Sequence, residues 1–529
     1  IIWRKTLKNK IIVILISVLL LISPLVFVAN AMNDKKTEKG TSFELNPFKT
    51  QKKNIGLNSS DWKMMILNAS DGEGSDGFGF SVSISGHYAL IGAPYDDNIT
   101  GSAYIFTDIG TTWIQVAKLT AADGVPEDGF GYSVSLDGDT CVIGAVGDND
   151  NGNSSGSAYV FTRTGTTWTQ QAKLLASDGE YTDSFGKSVS INGDFIVIGA
   201  PSDDNSTGSA YVFERDGTTW MQQTKLLASD GTPTDHFGNS VSMSGDRIVI
   251  GIIVYRDDNS TESVYVFERD GTTWTQTTQL VASDSEPSRF GNSVSIHGDD
   301  IIIGAPFSGI YAYGAAYIFK YNGTTWAQQV KLTGSGDPLE SFGSSVSIDE
   351  EYATTIGMSI FNHTGSVYIF KRNGTTWSLD AKLTGFVNDF MSFGNMISNN
   401  GACVLVGNCG YNHGIGSAYI FWKPSPQFEI TSKGSTIYVK NIGDANATNV
   451  SVNRQLEGGL IVMGKDKTVI IPSISIEETK KARLGMIIGL GKTTITFFLS
   501  CDENVTETWS RQAIVLYFFL FFYNNYKSL

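Results

Sequence analysis

The feature that most constrains this chain is a seven-fold internal repeat. The dipeptide Phe-Gly recurs at Phe78, Phe130, Phe185, Phe237, Phe290, Phe342 and Phe393, at steps of 52, 55, 52, 53, 52 and 51 residues by subtraction. A period that regular means one supersecondary unit copied in tandem, and such units bury their apolar faces against their neighbours. The fold is therefore expected to be an array of like units packed on one another.

One copy, residues 183–220, shows what the unit is. In 188–191 (SVSI) apolar and hydroxyl side chains alternate with the period of a half-buried strand. Residues 195–198 (FIVI) are continuously apolar and β-branched, as in a strand buried on both faces. Asn192-Gly193-Asp194 between them is a tight hairpin, because Gly tolerates positive φ. A third run at 209–213 follows a polar loop, and a fourth starts at Trp220 after Asp216-Gly217. Four short antiparallel strands in about 52 residues make one blade of a β-propeller.

Three further signals recur in phase. Gly-Ala-Pro follows the second strand (Gly199-Ala200-Pro201), Ala-Tyr-Val-Phe forms the third, and six Gly-Thr-Thr-Trp turns end at Trp113, Trp168, Trp220, Trp274, Trp326 and Trp377. This set resembles the FG-GAP repeat of the integrin α-subunit propeller, in its compact secreted prokaryotic form, across residues 61–425. The resemblance implies an all-β fold with a seven-bladed propeller of four-stranded blades. The seventh unit stops at its third strand, Tyr419-Ile420-Phe421, while a spare Trp strand, 61–67, precedes the first Phe-Gly. That N-terminal strand is expected to complete blade seven and so remove an open sheet edge. The blade-packing residues are then Phe78, Phe130, Phe185, Phe237, Phe290, Phe342 and Phe393 with Trp62, Trp113, Trp168, Trp220, Trp274, Trp326 and Trp377. Gly-Ala-Pro drifts to Gly251-Ile252-Ile253, Gly357-Met358-Ser359 and Gly407-Asn408-Cys409, and those blades are expected to pack less well. The Gly persists, as it must wherever backbone passes close by.

Residues 1–31 read as a signal peptide: Arg4, Lys5, Lys8 and Lys10, an apolar run over 11–28, then Ala29-Asn30-Ala31 as a small-x-small cleavage site. Left uncut, the segment would be an anchor. A polar, Lys/Asn-rich linker follows at 32–60. Residues 426–512 show some seven short strand-like runs, the pattern of a β-sandwich. Their Asn-x-Gly-Asp-x-x-Ala-Thr-Asn-Val stretch (441–450) resembles the immunoglobulin-like modules of microbial surface proteins. The end, 513–529, is either a last strand running on or an apolar tail that touches a membrane; eleven apolar residues are too few to span one as a helix.

Composition narrows the chemistry. A net charge of −15, with no basic stripe, argues against a nucleic-acid partner. The five His are scattered without metal-ligand spacing. Of four Cys, Cys403 and Cys409 are close enough in sequence to bridge, while Cys141 and Cys501 read as buried singles. Asn-x-Ser/Thr sequons are frequent, among them Asn98, Asn205, Asn259, Asn322, Asn373, Asn446 and Asn504, and make the chain a potential glycoprotein. The calcium loop that the resemblance would place between strands one and two has shrunk to Asp137-Gly138-Asp139, Asn192-Gly193-Asp194 or Ser244-Gly245-Asp246, too short to wrap an ion of six to eight ligands. No cofactor is expected beyond weak calcium binding. The Gly-Thr-Thr-Trp turn also resembles the Asp-box of sialidases, but only Asp108 fits; Arg163, Arg215, Arg269, Tyr321 and Arg372 hold that position elsewhere.

Acid is concentrated in two loop sets. The loops between strands two and three carry Asp96, Asp97, Asp148, Asp150, Asp203, Asp204, Asp257 and Asp258; those between strands four and one carry Asp71, Asp76, Asp123, Asp128, Asp178, Asp183, Asp230 and Asp235. In an up-and-down blade both sets emerge on one face. As good turn formers these residues serve their own loops; as a group they make a polar ligand face. The expected function is that of a secreted or cell-surface adhesion module, not an enzyme, which binds a glycan or protein ligand through that face. The alternatives are a structural envelope component and a polysaccharide hydrolase or lyase, the last needing paired carboxylates at glycosidase spacing.

Overall fold

The computed structural model describes residues 62–525 apart from 111, 254–261, 285–288, 310–312, 335–339, 360–363, 385–395, 402, 411–414, 434–435, 458–459, 464–466, 485–487, 503–505 and 518. The expected signal peptide and linker, and Asp257, Asp258 and Phe393, lie outside the described residues.

The described chain is all-β apart from single-turn loops. Its repeats form seven four-stranded antiparallel sheets, six of them meanders in sequence order. Sheet 1 comprises Ser81–Ser85, Tyr88–Ala93, Ser102–Asp108 and Trp113–Leu119. Sheets 2 to 6 follow at 130–174, 188–226, 240–280, 293–332 and 346–384. Sheet 7 takes Ile397–Asn400, Cys403–Asn408 and Ser417–Trp422 from the end of the array and Lys63–Leu67 from its start. Lys63–Leu67 pairs with Ser417–Trp422 from Lys63↔Trp422 to Leu67↔Ala418, the splice that the spare Trp strand implied. In sheets 1 to 6 one register shift recurs between strands three and four, just before the Phe of the third strand, as at Val212/Phe213. Such bulges add twist.

Neighbouring sheets are locked in three ways. First, apolar side chains fill each gap: Val142, Ala158 and Val160 of sheet 2 pack with Phe185, Ile196, Ile198 and Tyr211 of sheet 3. Equivalent cores join every successive pair, including sheet 7 to sheet 1, where Leu67, Leu405 and Ile420 meet Phe78, Ile84 and Ile91. Second, the first strands are stitched in a circle. Ser83, Ser135, Ser190, Ser242, Ser295, Ser347 and Ser398 each accept the backbone N–H of the next sheet's first strand at 3.0–3.2 Å, and the last of these bonds runs from Ile84 N to Ser398 Oγ. Third, backbones interlock at glycine. A Cβ on Gly199 would lie 1.9 Å from the carbonyl oxygen of Gly238, the Gly of the next sheet's Phe-Gly. The same clash meets Gly92, Gly144, Gly251 and Gly304, and Gly407 meets Gly79 across the seam. Side-chain volume is excluded there, so the Gly outlives the rest of Gly-Ala-Pro. In sheet 4 the drifted Ile252 is itself buried in the core.

Each described Phe of the Phe-Gly dipeptides is buried and sits edge-on to the Tyr and Phe of its own third strand, as Phe185 does to Tyr211 and Phe213. The tryptophans work between sheets: Trp168 packs on Tyr88 and Trp274 on Phe195, one sheet back. Trp220, Trp274 and Trp377 donate their indole N–H to Gln171, Gln223 and Gln329 of the preceding sheet at 2.9–3.2 Å, and Trp62 donates to Asp380. Trp168 and Trp326 have buried indole N–H groups without a partner. The partner position holds Val116 for the first and Thr277 for the second.

The C-terminal residues form a three-stranded sheet, Phe428–Lys433, Thr436–Asn441 and Thr479–Ala482, and a second, larger sheet. One core lies between them, from Phe428, Ile437 and Val439 on one side to Val450, Val452, Ile495 and Phe497 on the other. The strand Thr506–Tyr517 runs through the expected boundary at 512 and pairs with Phe519–Asn525, so the apolar end continues as sheet. Among the described residues no cysteine forms a disulfide. Cys403 and Cys409 do not bridge, because the strand Cys403–Asn408 holds them at its two ends, about 20 Å apart at the rise of an extended chain. Among the described residues no helix is long and apolar enough to cross a membrane.

Candidate functional site

The two acidic loop sets do converge on one face, and what joins them is a lysine. Lys225, five residues after Trp220, reaches from strand four of sheet 3 to Asp178 of the loop between sheets 2 and 3 (2.8 Å) and to Asp203 and Asp204 of its own sheet's loop between strands two and three (2.7 and 3.1 Å). Lys173 gathers Asp123, Asp148 and Asp150 at 2.8, 2.8 and 2.6 Å, and Lys118 gathers Asp71, Asp96 and Asp97 at 2.7, 2.8 and 3.7 Å. A tyrosine from the third strand completes each cluster: Tyr104, Tyr159 and Tyr211 donate to Asp96, Asp148 and Asp203 at 3.1, 2.9 and 2.9 Å.

The expectation that all of these loop carboxylates present a ligand face is corrected on this point. Asp96, Asp148 and Asp203 are buried under the face, each held by its lysine and tyrosine. Their neighbours Asp97, Asp150 and Asp204 remain outside, with side chains 73, 56 and 62% exposed. One ammonium against three carboxylates leaves every cluster net negative.

The loop backbone explains the division. In sheet 1 Asp97, Asn98 and Ile99 have φ of +48, +62 and +67°, and in sheet 3 Asp204, Asn205 and Ser206 have +50, +58 and +63°. Three successive left-handed residues turn the chain back on itself, so the first Asp points down and the second out. Asp and Asn tolerate this conformation better than most residues, though it remains uphill for any residue with a Cβ. Sheet 2 replaces the turn with a longer loop, and Asp148 is held there also by Ser157 Oγ at 2.7 Å.

Beneath lies a second set. Asp76, Asp128, Asp183 and Asp235 are buried and accept the backbone N–H three residues earlier, from Glu73, Val125, Glu180 and Thr232. Burial pushes the carboxyls of Asp76, Asp128 and Asp183 upward, with added repulsion from Asp96, Asp148 and Asp203. Asp71, Asp123 and Asp178 go the other way: burial opposes ionisation, but their lysines outweigh it and hold the carboxyls below the usual range. The lysines are themselves pushed up, since the carboxylate contacts outweigh partial desolvation. An ammonium with three carboxylates and a phenol occupies the middle of each cluster.

Sheet 4 departs from the pattern. Gln279 replaces the lysine and donates to Asp230 and Ser263 at 3.1 and 2.9 Å. Sheets 5 and 6 keep the lysine, where Lys331 pairs with Asp284 and Lys382 with Glu340. On the opposite face, the Asp of the shrunken turns pairs with Arg: Asp139 with Arg163, Asp194 with Arg215, Asp246 with Arg269. Among the described residues no group of three or more His, Cys, Asp or Glu has the geometry to hold a metal ion.

Sequence reasoning did not single out the lysines or the tyrosines. The signal was there: Lys118, Lys173, Lys225, Lys331 and Lys382 each fall five residues after the strand's Trp, with Leu67 and Gln279 the exceptions. A cation recurring in phase with acidic loops is a pairing partner.

Comparison with known proteins agrees with this architecture. The FG-GAP repeat family model matches five segments, residues 63–106, 113–161, 168–213, 220–267 and 274–319. Each runs from a Trp strand, or the residue after its Trp, to the third strand of the next sheet, bridging two sheets. Mouse integrin alpha-7 is similar over 171 residues at 28% identity, a stretch that covers 29% of this chain and 14% of the integrin. The chain thus matches only a small part of that relative's length. The chain carries five FG-GAP repeat matches and is similar over part of its length to an integrin α-subunit, and its four-stranded antiparallel sheets fit the blades of a propeller.

Proposed function

We propose that the seven sheets are the blades of one closed propeller followed by an immunoglobulin-like β-sandwich, and that the whole is an exported adhesion module. Its ligand, a glycan or a protein, meets the face where the loops between strands two and three and between strands four and one converge. The observation that carries this reading is the pair of left-handed turns at Asp97–Ile99 and Asp204–Ser206, which hold Asp97 and Asp204 outward at a conformational cost. Backbone held in an unfavourable region tends to mark a functional surface. The net negative clusters around Lys118, Lys173 and Lys225 suit hydroxyl-rich or basic partners. The integrin likeness supports adhesion as the class and leaves the ligand open.

We favour binding over catalysis because the buried carboxylate pairs, Asp76 with Asp96, Asp128 with Asp148 and Asp183 with Asp203, recur in three consecutive sheets, each beside a lysine. Repetition of that kind belongs to scaffold construction. The experiment is to offer the full chain to arrays of envelope glycans and to whole cells, with calcium and with chelator. Saturable binding supports the module; silence on both, with turnover of a polysaccharide, would move the assignment to an enzyme.

A further inference from the structure

The seam where the ring closes is stapled from two sides by carboxylates. From sheet 6, Asp380 accepts the indole N–H of Trp62 at 3.2 Å and pairs with Lys423 at 3.1 Å. From the C-terminal sheets, Asp444 accepts the indole N–H of Trp422 at 2.6 Å and pairs with Lys63 at 3.2 Å. Asp444 thus grips one residue of the first strand and one of the last, Asp380 grips the residues that flank them, and Lys63 and Trp422 are direct partners in the ladder. Lys63 also donates to the backbone carbonyl of Asp444 at 2.9 Å.

The turn that carries Asp444 is built for the task. Asn441 is fully buried; its amide donates to Ala445 O and Ile474 O at 2.7 and 3.1 Å, and its oxygen accepts Gly443 N at 3.0 Å. A Cβ on Gly443 would lie 2.3 Å from Gln427 N and 2.5 Å from Ser425 O, so only glycine lets the connecting segment cross there. Asp444 then closes the crossing by accepting Ser425 N at 2.9 Å.

We propose that the Asn-Ile-Gly-Asp turn is a latch: the C-terminal module clamps the propeller's closing strand, and displacing the module unlocks the ring at Lys63–Leu67. Asp444 is a positioning residue that acts through Lys63 and Trp422. The closing strand is non-covalent and would otherwise be the weakest strand of the seventh sheet, because the chain has no continuous connection there.

Hydrogen exchange on the full chain tests this. Asp444→Ala should speed exchange of the amides in Lys63–Leu67 at least tenfold, while Thr219–Leu226, the fourth strand of sheet 3, changes less than twofold. Unchanged exchange in Lys63–Leu67, with Ala447–Glu457 still protected, overturns the proposal. Should Asp444→Ala unfold the C-terminal module instead, Trp422→Phe decides, since it deletes one donor to Asp444 and leaves the module's own contacts intact: faster exchange in Lys63–Leu67 supports the latch, and no change overturns it.

Discussion

Ile84 donates its backbone N–H to Ser398 Oγ at 3.2 Å across 314 residues of chain. It is the seventh of seven equivalent bonds between successive first strands, and it makes the array circular. Closure then depends on Lys63–Leu67, which supplies the outer strand of sheet 7 and buries Trp62 and Leu67 in two different cores.

Deleting residues 62–67 should therefore collapse the ring. Loss of a buried Trp or Leu costs about 2–5 kcal/mol each when truncated to Ala, and deletion also bares a sheet edge. Scanning calorimetry of the deletion should show a transition lowered by more than ten degrees, with aggregation. An unmoved transition would mean that the strand is ornamental.

The glycine interlock makes a sharper contrast. Gly199→Ala places a methyl 1.9 Å from a carbonyl oxygen of the next sheet, whereas Gly193→Ala, in the hairpin at φ +60°, meets nothing within 4 Å. The first should cost more than about 3 kcal/mol, the second about 1 kcal/mol from backbone conformation alone. Urea unfolding of both variants checks the order.

The two orphan indoles predict gains. Val116→Gln should give Trp168 Nε1 an acceptor, and Thr277→Gln should do so for Trp326, following the pattern of Gln171 with Trp220. Satisfying a buried donor is worth about 1 kcal/mol, up to the 1–3 kcal/mol cost of leaving it unmade. Conversely, Gln171→Ala should lose a similar amount. A denaturant midpoint that fails to rise in either gain variant would show that the indole positions are already solvated.

Charge in the loop clusters sets a pH window. Lys118, Lys173 and Lys225 have raised folded-state pKa values, so their contribution is complete below the ordinary lysine value, about 10.4, and fades as pH rises beyond it. Asp71, Asp123 and Asp178 are depressed, so theirs is present above about 3.9 and fades as pH falls. Asp76, Asp128 and Asp183 are raised by burial and oppose this, losing stability as pH climbs through the usual carboxylate value. Lys225→Met strands Asp203 as a buried carboxylate and should cost about 3 kcal/mol or somewhat less, given its partial exposure. The variant's stability should also lose part of the alkaline fall expected of the wild type, measured by chemical denaturation between pH 7 and 11.

The repeat scaffold was largely legible in the sequence because period, alternation and turn residues all report on backbone. Phe185, Gly199 and Trp220 recur in phase, and the spare strand at Trp62 was visible as a surplus. The loop face was less legible. Asp203 and Asp204 are adjacent and chemically identical, and only the left-handed turn decides which one is buried. Lys225 sits 21 residues beyond Asp204 on an apparently exposed strand face, and its role emerges only when strand four and the loop meet in space. The Asp444 latch lay hidden for the same reason: its partners, Lys63 and Trp422, are 381 and 22 residues away.

The most direct test of the binding account is a titration of the full chain against whichever envelope glycan or cell surface captures it, beside the triple variant Asp97→Asn, Asp150→Asn, Asp204→Asn. These three side chains are exposed, so the fold should survive with its thermal transition within a few degrees of wild type. The account predicts at least a tenfold loss of affinity in the folded variant. Undiminished binding by that variant would contradict the assignment of the ligand to this face.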